Sequence, residues 1–134
     1  MKLLSGLFFV LFLAFAALQF NDPDPFIWVP IYLFSVYTSG CAFRNYYNPM
    51  LLSIMCLGYF LGAIFLFPDT PSAWLSNEEQ AKGLDMSLPF IEEARESLGL
   101  LICLLVNGIY LMKGYKGAKA ILPMYDKATE KRFD

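Results

Sequence analysis

Residues that could do chemistry are concentrated in two short polar segments of this sequence, each of which adjoins an apolar run. The first segment reads "NDPDP" and the second reads "EEARE". Their candidate binding residues are Asn21, Asp22 and Asp24 in the first and Glu93, Arg95 and Glu96 in the second. Carboxylate and amide oxygens are hard ligands, which suit calcium or magnesium better than copper or zinc. The four carboxylates that would hold such a cation are Asp22, Asp24, Glu93 and Glu96.

Other kinds of site find little support in the composition. The sequence has no histidine, and its cysteines, Cys41, Cys56 and Cys103, lie singly inside apolar runs. A zinc site, a disulfide framework or a nucleophile with a neighbouring base is therefore not expected, and no cofactor is predicted. The chain is acidic overall, with a net charge of −2, so a nucleic-acid partner is not expected either.

The two polar segments are positioned by four long apolar runs. We expect membrane-spanning helices over residues 3–20, 26–43, 49–67 and 88–112. These runs predict an all-α, integral membrane four-helix bundle of antiparallel, up-and-down helices, since runs this long and continuously apolar do not suit barrel strands. Residues 1–112 would form the membrane domain and residues 113–134 a basic tail. The first run is expected to be an uncleaved span rather than a signal peptide.

Charge predicts the orientation of these spans. Eight of the ten lysines and arginines flank the predicted spans on one side, and nine of the twelve acids lie in the loops on the other side. Basic residues accumulate on the cytoplasmic side, so both termini should be cytoplasmic and both polar segments should face outward. We expect a plasma membrane or a bacterial inner membrane. The lipid bilayer is then the main partner, and the basic tail could rest on anionic headgroups.

The outer turn "NDPDP" also has a purely structural interpretation. It joins the first two spans through a few residues, which makes them antiparallel neighbours. Asp22 before Pro23, or Asp24 before Pro25, could cap the second helix, with proline in its first turn. Capping alone would then explain the aspartates.

Helical spacing places several polar residues on one face of the fourth span. That face consists of Glu93, Glu96, Leu100, Cys103, Asn107 and Tyr110. Polar groups avoid lipid, so this stripe should point into the bundle, where Asn107 would bond a neighbouring helix or bind a ligand. Trp28 and Tyr32 lie within about two turns of "NDPDP", and Trp28 could equally be an interfacial anchor.

The pairing of "QFNDPDPFIWVPIY" with "EEARESLGLLI" resembles the transmembrane protein 220 family. The matching positions are Asn21, Asp22, Pro23, Asp24, Trp28 and Tyr32 in the first motif, and Glu93, Arg95, Glu96, Gly99 and Leu100 in the second. The resemblance covers roughly residues 3–112 and implies a small four-span membrane protein. It implies no particular activity.

Three functions remain open on the sequence alone. The outer polar cluster could lock the bundle or bind a cation or a small polar ligand. Alternatively, the protein could be an intramembrane enzyme acting on a lipid, with a carboxylate as acid or base. It could also be a transporter or channel subunit, which would require a homo-oligomer formed through faces such as Gly58 and Gly62. An enzyme is less expected than a binding or structural protein.

Overall fold

The protein is built of helices. The computed structural model describes the backbone of residues 1–22, 24–67 and 89–133, and the side chains of residues 1–22, 24–67 and 94–117. The helices are α1 (Lys2–Leu18), α2 (Pro25–Phe43), α3 (Pro49–Phe65) and α4 (Pro89–Phe133). A 3-10 turn, Gln19–Asn21, follows α1 directly. These described ranges contain no strand, and the predicted all-α fold is confirmed.

Within the described ranges, three helical stretches are long and apolar enough to cross a membrane: Lys2–Asn21, Pro25–Phe43 and Ala94–Gly117. The remaining helix, α3, is also apolar but has only 17 residues. At 1.5 Å per residue it is about 25 Å long, close to the lower limit for a span. Helix α1 also has 17 residues, but the 3-10 turn that follows it extends the first apolar stretch to 20 residues.

Helix α4 continues well past the predicted end of the membrane domain. It has 45 residues, which corresponds to about 68 Å, roughly twice the thickness of a bilayer core. Its backbone therefore carries the basic tail as an extension of the same helix, with no helix end at residue 112. The predicted cap of this helix, Ser87, and the loop of residues 68–88 lie outside the described part of the chain.

A tight turn connects α2 to α3 and is specified by its asparagines. Asn45 has a positive φ of 59°, a conformation that asparagine tolerates better than most residues. The amide of Tyr46 donates to the Cys41 carbonyl at 2.9 Å, and the amide of Asn45 to the Ala42 carbonyl at 3.0 Å. This pattern is a Schellman motif, which ends α2. The Asn48 side chain then accepts from the Leu51 amide at 3.2 Å and caps α3.

The helices pack as two antiparallel hairpins, α1 with α2 and α3 with α4. In the second hairpin, Ser97 Oγ donates to the Ala63 carbonyl at 2.9 Å. Gly62 packs there too, because an added Cβ would come within 2.9 Å of Leu100 Cδ1. A Cβ on Gly58 would meet nothing within 4 Å. Gly62 is thus used inside the bundle, which weakens the case for a Gly58/Gly62 face that joins two copies.

Candidate functional site

The hairpins are joined by buried polar side chains, which we call the core network. Its members are Ser35, Thr38 and Ser39 of α2, Tyr59 of α3, and Asn107 and Tyr110 of α4. Each of them is at most 5% exposed. Polar groups in an apolar interior are stable only when they are hydrogen bonded. Their hydrogen bonds therefore decide what this network does.

Asn107 lies at the centre of the core network. Thr38 Oγ1 donates to Asn107 Oδ1 at 2.7 Å. Asn107 Nδ2 donates to Ser35 Oγ at 3.2 Å and to the Cys103 carbonyl at 2.8 Å. The amide oxygen and both amide protons of Asn107 are thus used. Such a side chain holds two helices together and has little capacity left for a ligand.

The remaining members of the core network form further hydrogen bonds between helices on either side of Asn107. Ser35 Oγ and the Tyr59 hydroxyl lie 3.0 Å apart. The Tyr110 hydroxyl donates to Ser39 Oγ at 3.3 Å. Hydrogen bonds between membrane helices contribute about 0.6 kcal/mol on average and up to about 1.7 kcal/mol. The core network therefore fixes the position of one hairpin relative to the other.

Of the core network, the sequence predicts only the members on α4, Asn107 and Tyr110. The predicted inward stripe of α4 is buried at Leu100, Cys103, Asn107 and Tyr110. Its partners on α2 were missed, although "SVYTS" places three hydroxyls at i, i+3 and i+4. That spacing lies on one helix face and would have indicated a polar contact.

Helices α2 and α4 run parallel, and their register extends from the core network to the end of the bundle at which α2 begins, the predicted outer end. Asn107 pairs with Thr38, and Tyr110 with Ser39. Further out, the Tyr32 hydroxyl lies directly over Gly99, where an added Cβ would collide with it. One more turn outward, the same register brings Trp28 to the level of Arg95 and Glu96.

A second group of polar residues lies at that outer end, and we call it the outer mouth. It consists of Asp22, Asp24, Trp28, Arg95 and Glu96. Asp22 ends the 3-10 turn, and Asp24 occupies the N-cap position of α2, followed by Pro25. The Asp24 side chain nevertheless makes no capping hydrogen bond. The position predicted for a cap is confirmed, but the capping interaction that would have explained Asp24 is absent.

Two atoms of the outer mouth are buried without a hydrogen-bond partner among the residues that the structure describes. They are Asp24 Oδ1 and Trp28 Nε1. Trp28 is only 4% exposed, so it packs inside the bundle, whereas an interfacial anchor would face the lipid. Leaving a buried donor or acceptor unsatisfied costs about 1–3 kcal/mol. The outer mouth thus differs from the core network in having unmade hydrogen bonds.

The two polar segments are close enough for the charge of one to affect the pKa of a residue in the other. Burial raises the pKa of Asp22, and the negative charge of Asp24 raises it further, while the positive charge of Arg95 opposes both effects. Arg95 and Glu96 are half-buried, and each has interaction partners of its own. The turn between α1 and α2 therefore faces the outer part of α4.

Two predicted site residues, Asn21 and Asn107, stand apart from the outer mouth, and a third cannot be placed. Asn21 is exposed on the 3-10 turn. Asn107 lies eleven residues beyond Glu96 on α4, about 17 Å deeper in the bundle. The side chain of Glu93 is outside the described residues. Among the side chains described, no group of three His, Cys, Asp or Glu could hold a metal ion.

A separate cleft, which the sequence did not predict, opens at the other end of the bundle. It encloses about 350 Å³, part of which is open to the surroundings. Its lining residues are Tyr37, Thr38, Cys41, Tyr46, Tyr47, Asn48, Leu51 and Leu52. None of them carries a formal charge. Tyr37 and Tyr46 are 56% and 60% exposed, as expected for aromatic residues at a membrane interface.

Comparison with known proteins adds one finding. The profile of a family described as "Transmembrane family 220, helix" matches residues 11–112 of the chain. This range covers about three quarters of the sequence and includes both the core network and the outer mouth. No curated protein and no solved structure matches the chain at a significant level.

Proposed function

Given that the chain belongs to transmembrane family 220, we propose that the outer mouth of its membrane bundle binds a small polar ligand. The observation that carries this proposal is a pair of buried atoms, Asp24 Oδ1 and Trp28 Nε1, that have no hydrogen-bond partner in the described part of the chain. A ligand that bonds both atoms would recover free energy that the ligand-free fold gives up. The recovered free energy would contribute to the affinity.

The arrangement of the polar groups favours binding over locking at the outer mouth. The core network already ties α2 to both helices of the other hairpin, through Asn107 and Tyr59. The bundle therefore has a satisfied polar link without the outer mouth. The Asp24 side chain makes no capping hydrogen bond, so helix capping does not account for this carboxylate.

The distribution of charge supports an outward-facing site. Basic residues concentrate beside the N-terminus, in the α2–α3 turn and after the fourth span. By the positive-inside rule these regions are cytoplasmic, so the outer mouth would take its ligand from the opposite side. The same orientation places the basic extension of α4 next to the cytoplasmic leaflet, where its lysines would attract anionic headgroups.

A thermal-shift experiment tests ligand binding. The detergent-solubilised protein is melted with calcium chloride, magnesium chloride, glycerol or ethanolamine hydrochloride added separately. A ligand present at 100 times its Kd stabilises the folded state by about 2.7 kcal/mol, which is an easily measured shift. We expect at least one probe to raise the melting temperature of the unmodified chain.

Matched variants assign that shift to the outer mouth. Asp24→Asn keeps the shape of the side chain and removes its charge, and we expect it to reduce the shift strongly. Glu130→Gln makes the same change of charge in the extension of α4, and it should leave the shift intact. If no probe moves the melting temperature, or if Asp24→Asn responds as the unmodified chain does, the proposal is wrong.

A further inference from the structure

We infer that the ligand of the outer mouth is an amino-alcohol unit, an ammonium group with an oxygen acceptor a few bonds away, as in ethanolamine. This inference rests on the proposed function, since it names the chemistry that the outer mouth selects. It follows from three properties of the site: the types of its two unsatisfied atoms, its net charge, and the position of Trp28 relative to Asp24.

The two unsatisfied atoms require opposite partners. A carboxylate oxygen such as Asp24 Oδ1 only accepts hydrogen bonds, and an indole nitrogen such as Trp28 Nε1 only donates them. One occupant must therefore donate to Asp24 and accept from Trp28. A bare metal ion can bind the carboxylate, but it offers no acceptor and would repel the partly positive indole proton.

The charge of the site selects a cationic donor. Asp22, Asp24 and Glu96 are acidic and Arg95 is basic, so these four side chains carry a formal net charge of −2. A water molecule could bond both unsatisfied atoms, but it would leave this charge uncompensated. An ammonium group compensates part of the charge and donates to Asp24 through a charge-assisted hydrogen bond.

The spacing of the two residues suits one small occupant. Trp28 follows the N-cap residue Asp24 by four residues, and Cβ atoms one helical turn apart lie about 5–6 Å from each other. Both atoms are buried, so the occupant reaches them when the side chains of the outer mouth move apart. Long helical side chains lean toward the N-terminus of their helix, so the Trp28 indole covers the turn that holds Asp24. An ammonium at Asp24 and an oxygen at Trp28 can thus belong to a unit of a few heavy atoms.

Such a unit occurs free in solution and also as the headgroup of a phospholipid. The outer mouth lies where the helices of the first hairpin leave the apolar region, so a lipid headgroup and a soluble molecule could both approach it. The chemistry recognised is the same in the two cases. The experiment therefore has one arm for each source.

The first arm compares small amines on the unmodified chain in a detergent without added lipid. Ethanolamine has an ammonium with N–H groups and a hydroxyl. Propylamine lacks the oxygen, and choline keeps the charge and the hydroxyl but has no N–H donor. We expect ethanolamine to bind about tenfold more tightly than either analogue, the ratio that corresponds to about 1.4 kcal/mol. This comparison needs no variant and so does not depend on a mutant folding.

The second arm places the protein in vesicles of phosphatidylglycerol that contain either phosphatidylethanolamine or phosphatidylcholine. These two zwitterionic lipids differ in their headgroup N–H donors. A higher melting temperature with phosphatidylethanolamine, with little response to free ethanolamine, identifies the headgroup as the source. A response to free ethanolamine alone identifies a soluble ligand. Both results support the inference, whereas no preference in either arm overturns it.

Trp28→Phe then tests the acceptor half of the unit. This variant keeps an aromatic ring and removes the N–H, so ethanolamine should bind it about as weakly as propylamine binds the unmodified chain. Full ethanolamine affinity in a folded Trp28→Phe chain would overturn the inference. If calcium or magnesium shifts the unmodified chain and ethanolamine does not, the inference fails while the proposed function survives. If no probe binds at all, both fail.

Discussion

The core network and the outer mouth are both groups of polar residues along α2 and α4. They differ in whether their buried polar atoms have hydrogen-bond partners. In the core network, Asn107 has a partner for its amide oxygen and for both amide protons. In the outer mouth, one oxygen of Asp24 and the nitrogen of Trp28 are buried without a partner in the described part of the chain. Satisfied polar groups thus join the two hairpins, whereas the two unsatisfied atoms of the outer mouth are where we propose that a ligand binds.

The largest loss of stability should come from a substitution in the core network. Asn107→Leu removes two hydrogen bonds to α2 and one to the Cys103 carbonyl of its own helix, and it leaves Thr38 and Ser35 with one partner fewer. At 0.6–1.7 kcal/mol for each of the two bonds between helices, we expect the free energy of unfolding to fall by about 2–3 kcal/mol. Chemical denaturation in detergent measures this. Leu105→Val on the same helix is the control, because Leu105 is 67% exposed. An equal loss in both variants would contradict the role of the network.

Gly99→Ala probes the boundary between the two regions. The added Cβ collides with the Tyr32 hydroxyl, so α2 and α4 must separate there or Tyr32 must move. Overpacking of this kind costs about 1–3 kcal/mol. Adding Tyr32→Phe removes the hydroxyl and should restore part of the lost stability. Gly58→Ala, which meets nothing within 4 Å, should be neutral. A tolerated Gly99→Ala would show that the contact is not close.

A smaller effect is expected at Ser5, whose hydroxyl is also buried without a partner among the described residues. Ser5 lies near the start of α1, and the outer mouth is about 25 Å away along the axis of that helix. Ser5→Ala removes an unsatisfied group and should raise the free energy of unfolding by about 1 kcal/mol. It should leave ligand-induced shifts unchanged. A destabilised Ser5→Ala would mean that this hydroxyl has a partner in the membrane-embedded protein.

The smallest effect should appear in the pH dependence of stability. The pKa of Asp22 is raised above its ordinary value of 3.8, so the folded chain binds this proton more tightly than the unfolded chain does. Stability therefore falls as the pH rises from about 3.8 through the raised pKa. Asp22→Asn should flatten that part of the profile and slightly raise the melting temperature at neutral pH. Melts between pH 3.5 and 8 measure both, and an unchanged profile would contradict the assignment.

The sequence was sufficient for the architecture because long apolar runs leave a membrane chain few alternatives to helices. It also predicts the inward face of α4, since an asparagine in the middle of a span is costly unless it points at another helix. It does not predict the partners of that face on α2. Serine and threonine are common in membrane helices, and the parallel register of α2 and α4, which aligns Thr38 with Asn107, is set by packing of the whole bundle.

The sequence predicts one polar cluster that includes Asn107, Asp22 and Arg95. In the structure, Asn107 lies deeper along α4 than the residues of the outer mouth, with its partners on α2. The sequence alone also leaves the two aspartates explicable as helix caps. A capping residue usually has an extended backbone, from which its side chain reaches the helix amides. Asp24 has φ −129° and ψ 57° and makes no capping hydrogen bond, which the sequence does not reveal.

The division into a structural core network and a binding outer mouth is tested most directly by melting temperatures with and without ethanolamine for three chains: unmodified, Asn107→Leu and Trp28→Phe. We predict that Asn107→Leu has a much lower melting temperature and keeps its ethanolamine-induced shift. Trp28→Phe should lose that shift but have nearly the unmodified melting temperature. Its smaller ring buries less apolar area, which lowers stability, and the removal of an unsatisfied donor raises stability by a similar amount. The opposite result, a lost shift in Asn107→Leu and a retained one in Trp28→Phe, would contradict that division.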